Sequence, residues 1–361
     1  RRAPAPGSPV NRGRPMATVS QAATPENLES RPVKAGPFSF ERILSPAVLA
    51  PSAVAIFVFV YVFIGYTFFV SLTKWQTAKQ DLSIKDPVGS VYGTLFGMSR
   101  FQIDLRNTLV FTVMFLILAV AAGLGLAILL DRRVAGSGFF RSVFLFPYAL
   151  SFIVTGVTWS WIFNPETGVN LLFEATGLNS LLVSMGMQPL KPGWITDPTI
   201  AWQLNGAISA VYPPASEWSL KLGIPVALIP VTIAAAWQLS GFAMATFLAG
   251  MGTIPHEVRE AAALDGASDR QLYSDVIIPL LKPIMVSTLI ILGHVSLKIF
   301  DLIFSMSGKG PGFATDVPGI FVYEMIFRAQ RYNLGAAASI VMLVLVCIVI
   351  VPYLARQLKE L

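Results

Sequence analysis

Six long runs of apolar residues alternate with polar segments along the chain. They cover roughly 46–72, 106–130, 139–163, 223–250, 283–306 and 334–355. A helix needs about 20 predominantly apolar residues to cross the hydrocarbon core of a bilayer, and each run reaches that length. The pattern therefore predicts an all-α integral membrane protein with six transmembrane helices.

The third and fifth runs are the least uniformly apolar. The third carries Trp159 and Trp161, and the fifth carries His294, Lys298 and Asp301. Polar groups at membrane depth are costly, so they usually face the protein interior or a water-filled path. These two spans are accordingly the first place to look for groups that contact a solute.

Charged residues are few, which agrees with a bilayer as the main solvent. They make up 13% of the chain, against about 25% in an ordinary soluble domain. The net charge is +6, but Lys and Arg lie mainly in the amino-terminal tail and in short segments between apolar runs. Such a distribution is typical of topology control and argues against binding to nucleic acid. The single cysteine, Cys347, cannot form an internal disulfide.

Residues 1–44 differ in composition from the membrane domain predicted over 45–361. The tail is rich in Pro, Ala, Ser and Arg and lacks apolar periodicity, which predicts disorder. It has no apolar core followed by a cleavage site, so we do not interpret it as a signal peptide, and Met16 offers an alternative start. Its basic residues, and those of the link between spans two and three, predict that both lie in the cytoplasm. Six spans then place both termini inside, with 73–105, 164–222 and 307–333 outside.

The cytoplasmic segment 251–282 breaks the positive bias, because its acidic residues outnumber its basic ones. Its sequence predicts two short helices joined by a turn. Gly266 permits the backbone turn that ends the first helix. Ser268 followed by Gln271 has the form of a capping box that starts the second. Pro279 and Pro283 are expected to end it near the membrane and lead into span five.

This segment resembles the EAA loop of ABC importer permeases, and we call residues 251–282 the EAA loop. The resemblance covers roughly 45–356, and the extended form EAAALDGAS is similar to that of the subgroup that imports sugars with an extracytoplasmic binding protein. Weaker matches follow at 106–108, 164–168 and 307–311. In the family, the loop contacts the ATPase, and the residues that match here are Glu260, Ala261, Ala262, Asp265, Gly266 and Pro279.

The resemblance implies a type I permease-like fold in the cytoplasmic (inner) membrane and a set of partners. These are a second, distinct permease subunit, a dimer of ATP-binding subunits, an extracytoplasmic sugar-binding protein and the surrounding membrane lipid. The ATPase would drive alternating access and carry a sugar inward. The sequences LGHVSLKIFDLIF and GFATDVPGIFVYE look most like permeases for glucose, mannose or α-glucosides.

The motifs of catalysis are missing from the sequence. A phosphate-binding loop would read GxxxxGK[ST], whereas the only Gly-Lys pair is Gly308-Lys309, followed by Gly310. The sequence has no cysteine–histidine cluster for a metal and no GxSxG motif. We therefore expect a transport subunit with no catalytic residue, no metal and no cofactor. A secondary transporter of a small polar solute is the alternative, although six spans without an internal repeat argue against it.

A sugar path needs aromatic rings for the apolar faces of the sugar, and amides, carboxylates or hydroxyls for its rim. The candidates in spans three to five are Trp159, Asn164, Trp237, Gln238, Ser296 and Asp301. Relatives make their cargo contacts on spans four and five, which favours Gln238 and Ser296. Two alternatives stay open: the tryptophans could anchor the protein at the lipid interface, and Lys298 with Asp301, three apart on one helical face, could form an internal ion pair.

The outer segment 164–222 is longer than the family usually needs. The extra piece lies around 202–221. It could be a lid or a docking surface for the binding protein, or a tolerated surface insertion.

Overall fold

The computed structural model describes residues 40–132, 136–212 and 220–360, and this part of the chain is mostly helical. Of these residues, those up to Phe59 belong to one unit and those from Val60 onward to a second. The first unit holds α1 (Phe40–Ile56), which begins five residues before the end of the predicted tail. Residues 1–39 of that tail lie outside the described residues.

Short helices and turns connect the long helices of the second unit. The α-helices after α1 are α2 (Phe63–Ser71), α3 (Ser90–Gly97), α4 (Ser99–Asp131), α5 (Ser137–Ala149), α6 (Phe152–Ile162), α7 (Asn170–Ala175), α8 (Leu178–Ser184), α9 (Asn205–Val211), α10 (Leu228–Gly252), α11 (His256–Leu264), α12 (Asp269–Gln271), α13 (Ile278–Leu280), α14 (Lys282–Leu297), α15 (Asp301–Met306), α16 (Pro318–Tyr323) and α17 (Tyr332–Glu360). The π-helical segments are Phe57–Val62, Leu272–Ile277 and Glu324–Arg328, and the 3₁₀ turns are Trp194–Thr196 and Pro311–Phe313.

Four helices of the described chain are long and apolar enough to cross a membrane. They are Val48–Ser71, Ser99–Asp131, Leu228–Gly252 and Tyr332–Ala355. Two bent pairs raise the number to six if each pair counts as one span: α5 with α6, bent by 98°, and Asp269–Leu280 with α14, bent by 67°. The predicted all-α membrane fold is confirmed, and the bends are what the apolar pattern did not predict.

The third predicted span, 139–163, is broken in its middle. Pro147 lies in the last turn of α5, and Leu150 and Ser151 have extended backbone angles. The Ser151 hydroxyl accepts a hydrogen bond from the Val154 amide (3.2 Å) and so caps α6. The chain can turn here because both new helix ends find local partners.

The fifth predicted span, 283–306, is also not one helix. α14 ends at Leu297, residues 298–300 are not helical, and α15 begins at Asp301. The expected helical face shared by Lys298 and Asp301 is therefore wrong. No ion pair joins these two side chains among the residues that the structure describes.

The main core lies where α4 packs against α10. A Cβ atom added to Gly123 would lie 2.5 Å from the Ala243 Cβ and 2.9 Å from the Met244 amide nitrogen, so only glycine permits this approach of the two helices. Gly241 likewise abuts the Phe144 carbonyl of α5. The large side chains that fill the interface are Phe111, Phe115, Met244, Phe247 and Met251.

The segment between α6 and α10 is closed by two short antiparallel strands, β1 (Ile200–Ala201) and β2 (Ile224–Pro225). The Asn205 side chain bridges the return of the chain, donating to the Leu220 carbonyl (3.0 Å) and accepting from the Leu222 amide (2.6 Å). The predicted insertion, 202–221, thus contains α9, and the hydrogen bonds of Asn205 hold its two ends together. Its residues 213–219 lie outside the described part.

Candidate functional site

The first helix of the EAA loop, α11, ends in a left-handed turn at Gly266. The φ angle of Gly266 is +78°. The Asp265 amide donates to the Ala261 carbonyl (3.0 Å) and the Ala267 amide donates to the Ala262 carbonyl (3.0 Å). These bonds satisfy carbonyls that the end of the helix would otherwise leave free. The turn predicted at this glycine is confirmed.

The second helix begins with the predicted capping box. The Gln271 side chain accepts from the Ser268 amide (2.9 Å), and the Gln271 amide donates to the Ser268 hydroxyl (3.4 Å). The helical segment that the capping box starts ends at Leu280, and the bend toward α14 comes at Leu281. The break thus lies between Pro279 and Pro283, as predicted, and Pro283 occupies the first turn of α14.

The tip of the EAA loop presents an exposed surface to the surroundings. Glu260 is exposed, and its carboxylate lies 3.0 Å from the His256 ring one turn earlier. Leu264 is 89% exposed, and Ala261 and Asp265 beside it are exposed as well, whereas Ala262 is half-buried. A large apolar side chain held out next to small ones and an acid is a surface that a protein partner could cover.

The base of the EAA loop is tied to the carboxyl end of α4 through one carboxylate. Arg259 of α11 donates to both oxygens of Asp131, at 2.7 and 3.3 Å, and the Tyr273 hydroxyl donates to the same carboxylate at 2.8 Å. The hydrogen bonds with Asp131 raise the pKa of Arg259. Sequence reasoning missed this cluster, and the only local signal was an acid at the start of a basic link.

Of the candidate path residues, the two tryptophans come together. Trp159 of α6 and Trp237 of α10 meet edge to face with ring centroids 5.6 Å apart, and Trp159 also stacks on Phe163 at 5.4 Å. Trp237 remains 40% exposed in the middle of α10. Asn164 lies just beyond α6, where its side chain accepts from the Glu166 amide (2.9 Å) in a turn. A ring exposed beside another ring can stack on a sugar face.

The two residues favoured by the sequence are buried and bonded within the protein. The Gln238 side chain donates to the Leu150 carbonyl (2.7 Å), at the break between α5 and α6. The Ser296 hydroxyl lies 3.0 Å from the hydroxyl of Thr112 in α4 and 2.8 Å from the Gly293 carbonyl. Asp301 is exposed in the first turn of α15. Gln238 and Ser296 thus differ from Trp237 in burial, because both are buried whereas Trp237 is 40% exposed.

A second charged cluster lies at the amino end of α4, and we call it the Arg100 cluster: Arg100, Asp316 and Glu324. Arg100 Nε contacts Asp316 (2.7 Å) and its Nη1 contacts Glu324 (2.6 Å). Burial raises the pKa of Asp316, although the hydrogen bond from Arg100 opposes that shift. Nothing in the sequence pairs these residues, because more than 200 positions separate them.

The described residues contain no group of three or more His, Cys, Asp or Glu side chains that could hold a metal ion. The site is therefore built from two helix-end ion clusters, an exposed loop tip and an aromatic pair within the spans.

The comparison with family models decides what kind of protein this is. Residues 119–359 match the model of the inner membrane component of binding-protein-dependent transport systems. The chain belongs to this family. It is accordingly a membrane-embedded transport component and not an enzyme.

Relatives of the family extend over almost the whole chain. A probable ABC transporter permease protein of Pyrococcus horikoshii is 34% identical over 86% of this chain and 94% of its own length. The xylose/arabinose import permease protein of Haloferax volcanii is 31% identical over 82% of each chain. The trehalose/maltose transport system permease protein of Thermococcus litoralis is 27% identical over 87% of this chain and 93% of its own. The predicted resemblance to ABC importer permeases is confirmed.

The fold also matches a solved structure. A chain of a bacterial ABC transporter involved in the import of the acidic polysaccharide alginate superposes with a TM-score of 0.63, at 18% sequence identity. The match covers 88% of this chain and 96% of that chain. The type I permease-like fold predicted from the sequence is thereby confirmed.

Proposed function

We propose that this chain is one of two permease subunits of an ATP-driven sugar importer and that the EAA loop receives the force of a partner ATPase. The exposed tip of α11 is the observation that carries the proposal. Leu264, Ala261 and Glu260 stand out from the fold on a helix that Gly266 ends sharply. A short helix with an exposed apolar residue can place that residue in a pocket on the surface of a soluble partner.

The proposal fixes an orientation and a set of partners. The EAA loop and both termini face the cytoplasm, where a dimer of ATP-binding subunits docks. The second permease subunit is a distinct homologue. An external sugar-binding protein delivers the cargo to the opposite face, where the segment 164–222 is the expected docking surface.

The cargo is proposed to be an uncharged sugar of the glucose, mannose or α-glucoside class. Trp159 and Trp237 provide rings for stacking within the spans. Arg100 and Arg106, at the end of α4 that would face outward, are both committed within the protein. Arg100 pairs with Asp316 and Glu324, and Arg106 donates to the Lys221 carbonyl (2.7 Å). Neither is free to bind an anionic cargo, and the names of the relatives from Haloferax volcanii and Thermococcus litoralis agree with neutral sugars.

The test is sugar-stimulated ATP hydrolysis by the complex, reconstituted in proteoliposomes with its binding protein. Gly266→Asp and Glu260→Lys are compared with the wild type, and Glu174→Gln, at an exposed position of the opposite side, is the control. The two loop variants should reach the membrane but lose coupled hydrolysis and uptake. If uptake survives both changes, or proceeds without an ATPase, the loop does not couple transport to ATP hydrolysis and the proposal fails.

The cargo class is tested separately by competition. Unlabelled glucose, mannose, maltose and trehalose are added to an uptake assay, with alginate oligosaccharide as the anionic comparison. Inhibition by at least one neutral sugar, and none by the oligosaccharide, is the expected result. Inhibition by the anionic oligosaccharide alone would refute the neutral-sugar proposal and leave the ATPase coupling untouched.

A further inference from the structure

We propose that Asp131 is a positioning residue that makes α4 move with the EAA loop. The inference rests on the proposed coupling function of that loop. Its observation is that a single carboxylate, at the last residue of a membrane helix, holds both arms of the loop at once. Arg259 belongs to α11, and Tyr273 belongs to the π-helical segment that follows α12.

The contact is well made and largely shielded from water. The Asp131 side chain is 13% exposed and the Arg259 side chain 23%. Arg259 bonds both carboxylate oxygens and also reaches the Met251 carbonyl (3.3 Å) at the end of α10. Two parallel N–H to oxygen bonds fix direction as well as distance, which a single point contact would not do.

The backbone does not join α4 directly to the loop, so α4 can follow the loop through two side-chain contacts, its packing against α10 and this tie. The loop continues directly from α10 at one end and into α14 at the other, so these two helices follow it through the backbone. α4 is followed instead by the third span. The ion pairs that join the loop to other described elements both lead to the end of α4: Arg259 with Asp131, and Asp269 with Arg132 at 3.7 Å. The second pair is exposed, and exposed pairs contribute little.

The opposite end of α4 is held by a second ion cluster, to which a displacement of the loop would be carried. α4 is one unbroken helix of 33 residues, and its first turn holds Arg100 of the Arg100 cluster. A rigid helix anchored at both ends carries a displacement of the loop to the segment before α17. α4 is thus a rigid element with an ion pair at each end.

The experiment measures sugar taken up per ATP hydrolysed in the reconstituted complex. Asp131→Asn keeps the shape of the side chain but removes its charge. Its one NH₂ group takes the place of the oxygen that accepts from Nη2 of Arg259, so the two-bond contact with the guanidinium is lost. We expect the complex to assemble and to hydrolyse ATP, while the uptake per ATP falls at least about 5-fold, the lower end of typical coupling effects. Asp275→Asn is the matched control, because Asp275 is exposed in the same loop and bonds only its neighbour Ser274.

Two further variants test the same contact if Asp131→Asn fails to assemble. Tyr273→Phe removes only the hydroxyl and should lower the ratio by a smaller factor. The exchange Asp131→Arg with Arg259→Asp restores the charge pair, and it should recover part of the ratio that either single change loses.

Some outcomes would overturn the role of Asp131. A wild-type ratio in Asp131→Asn would do so, as would an assembled exchange variant that recovers nothing. The coupling function of the loop fails in a different way, through uptake that survives Gly266→Asp and Glu260→Lys. The two failures are therefore distinguishable.

Discussion

Arg100→Met should destabilise the fold strongly, because it leaves a buried carboxylate without its cation. Asp316 is fully buried, and Arg100 is the one cation that pairs with it among the described residues. Glu324 would keep Lys309 at 3.4 Å and Arg328 at 3.7 Å, so the loss concentrates on Asp316. Removing one partner of a buried ion pair costs about 3–5 kcal/mol. By the scaling of soluble domains, that lowers the midpoint of thermal unfolding by at least about 5 °C.

The assay is thermal unfolding of the purified protein in detergent, followed by tryptophan fluorescence, with Lys191→Met as the control. Lys191 also pairs with a carboxylate, that of Glu174 at 2.9 Å, but its side chain is 62% exposed. Its removal should cost less than about 1 kcal/mol. Adding Asp316→Asn to Arg100→Met should recover part of the loss, since the uncompensated charge is then gone. Equal midpoints for Arg100→Met and Lys191→Met would refute the view that burial decides the strength of these pairs.

Three further predictions follow from the packing, the loop tip and the aromatic pair. Gly123→Val should prevent the close approach of α4 and α10 and lower the yield of folded protein on size-exclusion chromatography, whereas Gly125→Val, which meets nothing within 4 Å on the same helix, should not. Leu264→Asp should weaken co-purification of the ATPase at least about 10-fold without changing the thermal midpoint, since its side chain is exposed; a lower midpoint would contradict a purely docking role. Trp237→Leu should raise the apparent KM for sugar uptake more than Trp161→Leu does, and equal effects would remove Trp237 from the path.

The features that could be predicted from the sequence are those set by neighbouring residues. A run of about 20 apolar residues specifies a membrane helix whatever surrounds it. The turn at Gly266 and the capping box of Ser268 and Gln271 are closed by bonds that span no more than five positions. Local spacing alone therefore predicted the shape of the EAA loop, including the break at Leu281 between Pro279 and Pro283.

The features that could not be predicted depend on partners far along the chain. The run 139–163 reads as one helix, yet it turns at Leu150, whose carbonyl is taken up by Gln238, 88 positions later. Asp131 and Arg259 are 128 positions apart. A single sequence contains no signal for this pair, because Asp131 or Arg259 alone would also be typical of an exposed helix end. The break at 298–300, which puts Lys298 and Asp301 outside one continuous helix, has no proline or glycine next to it in the sequence.

Polar side chains within the spans serve two different needs, and the structure separates them. Gln238 and Ser296 are buried and satisfy groups of the protein, a carbonyl freed by a helix break in one case and a neighbouring helix in the other. The Gln238 amide nitrogen and the Ser296 hydroxyl each donate within the protein, so a sugar that bound them would have to replace those bonds. Trp237 instead meets Trp159 edge to face and is 40% exposed. A transport path that must release its cargo is better lined by such rings, because stacking can be made and broken without leaving buried polar atoms unpaired.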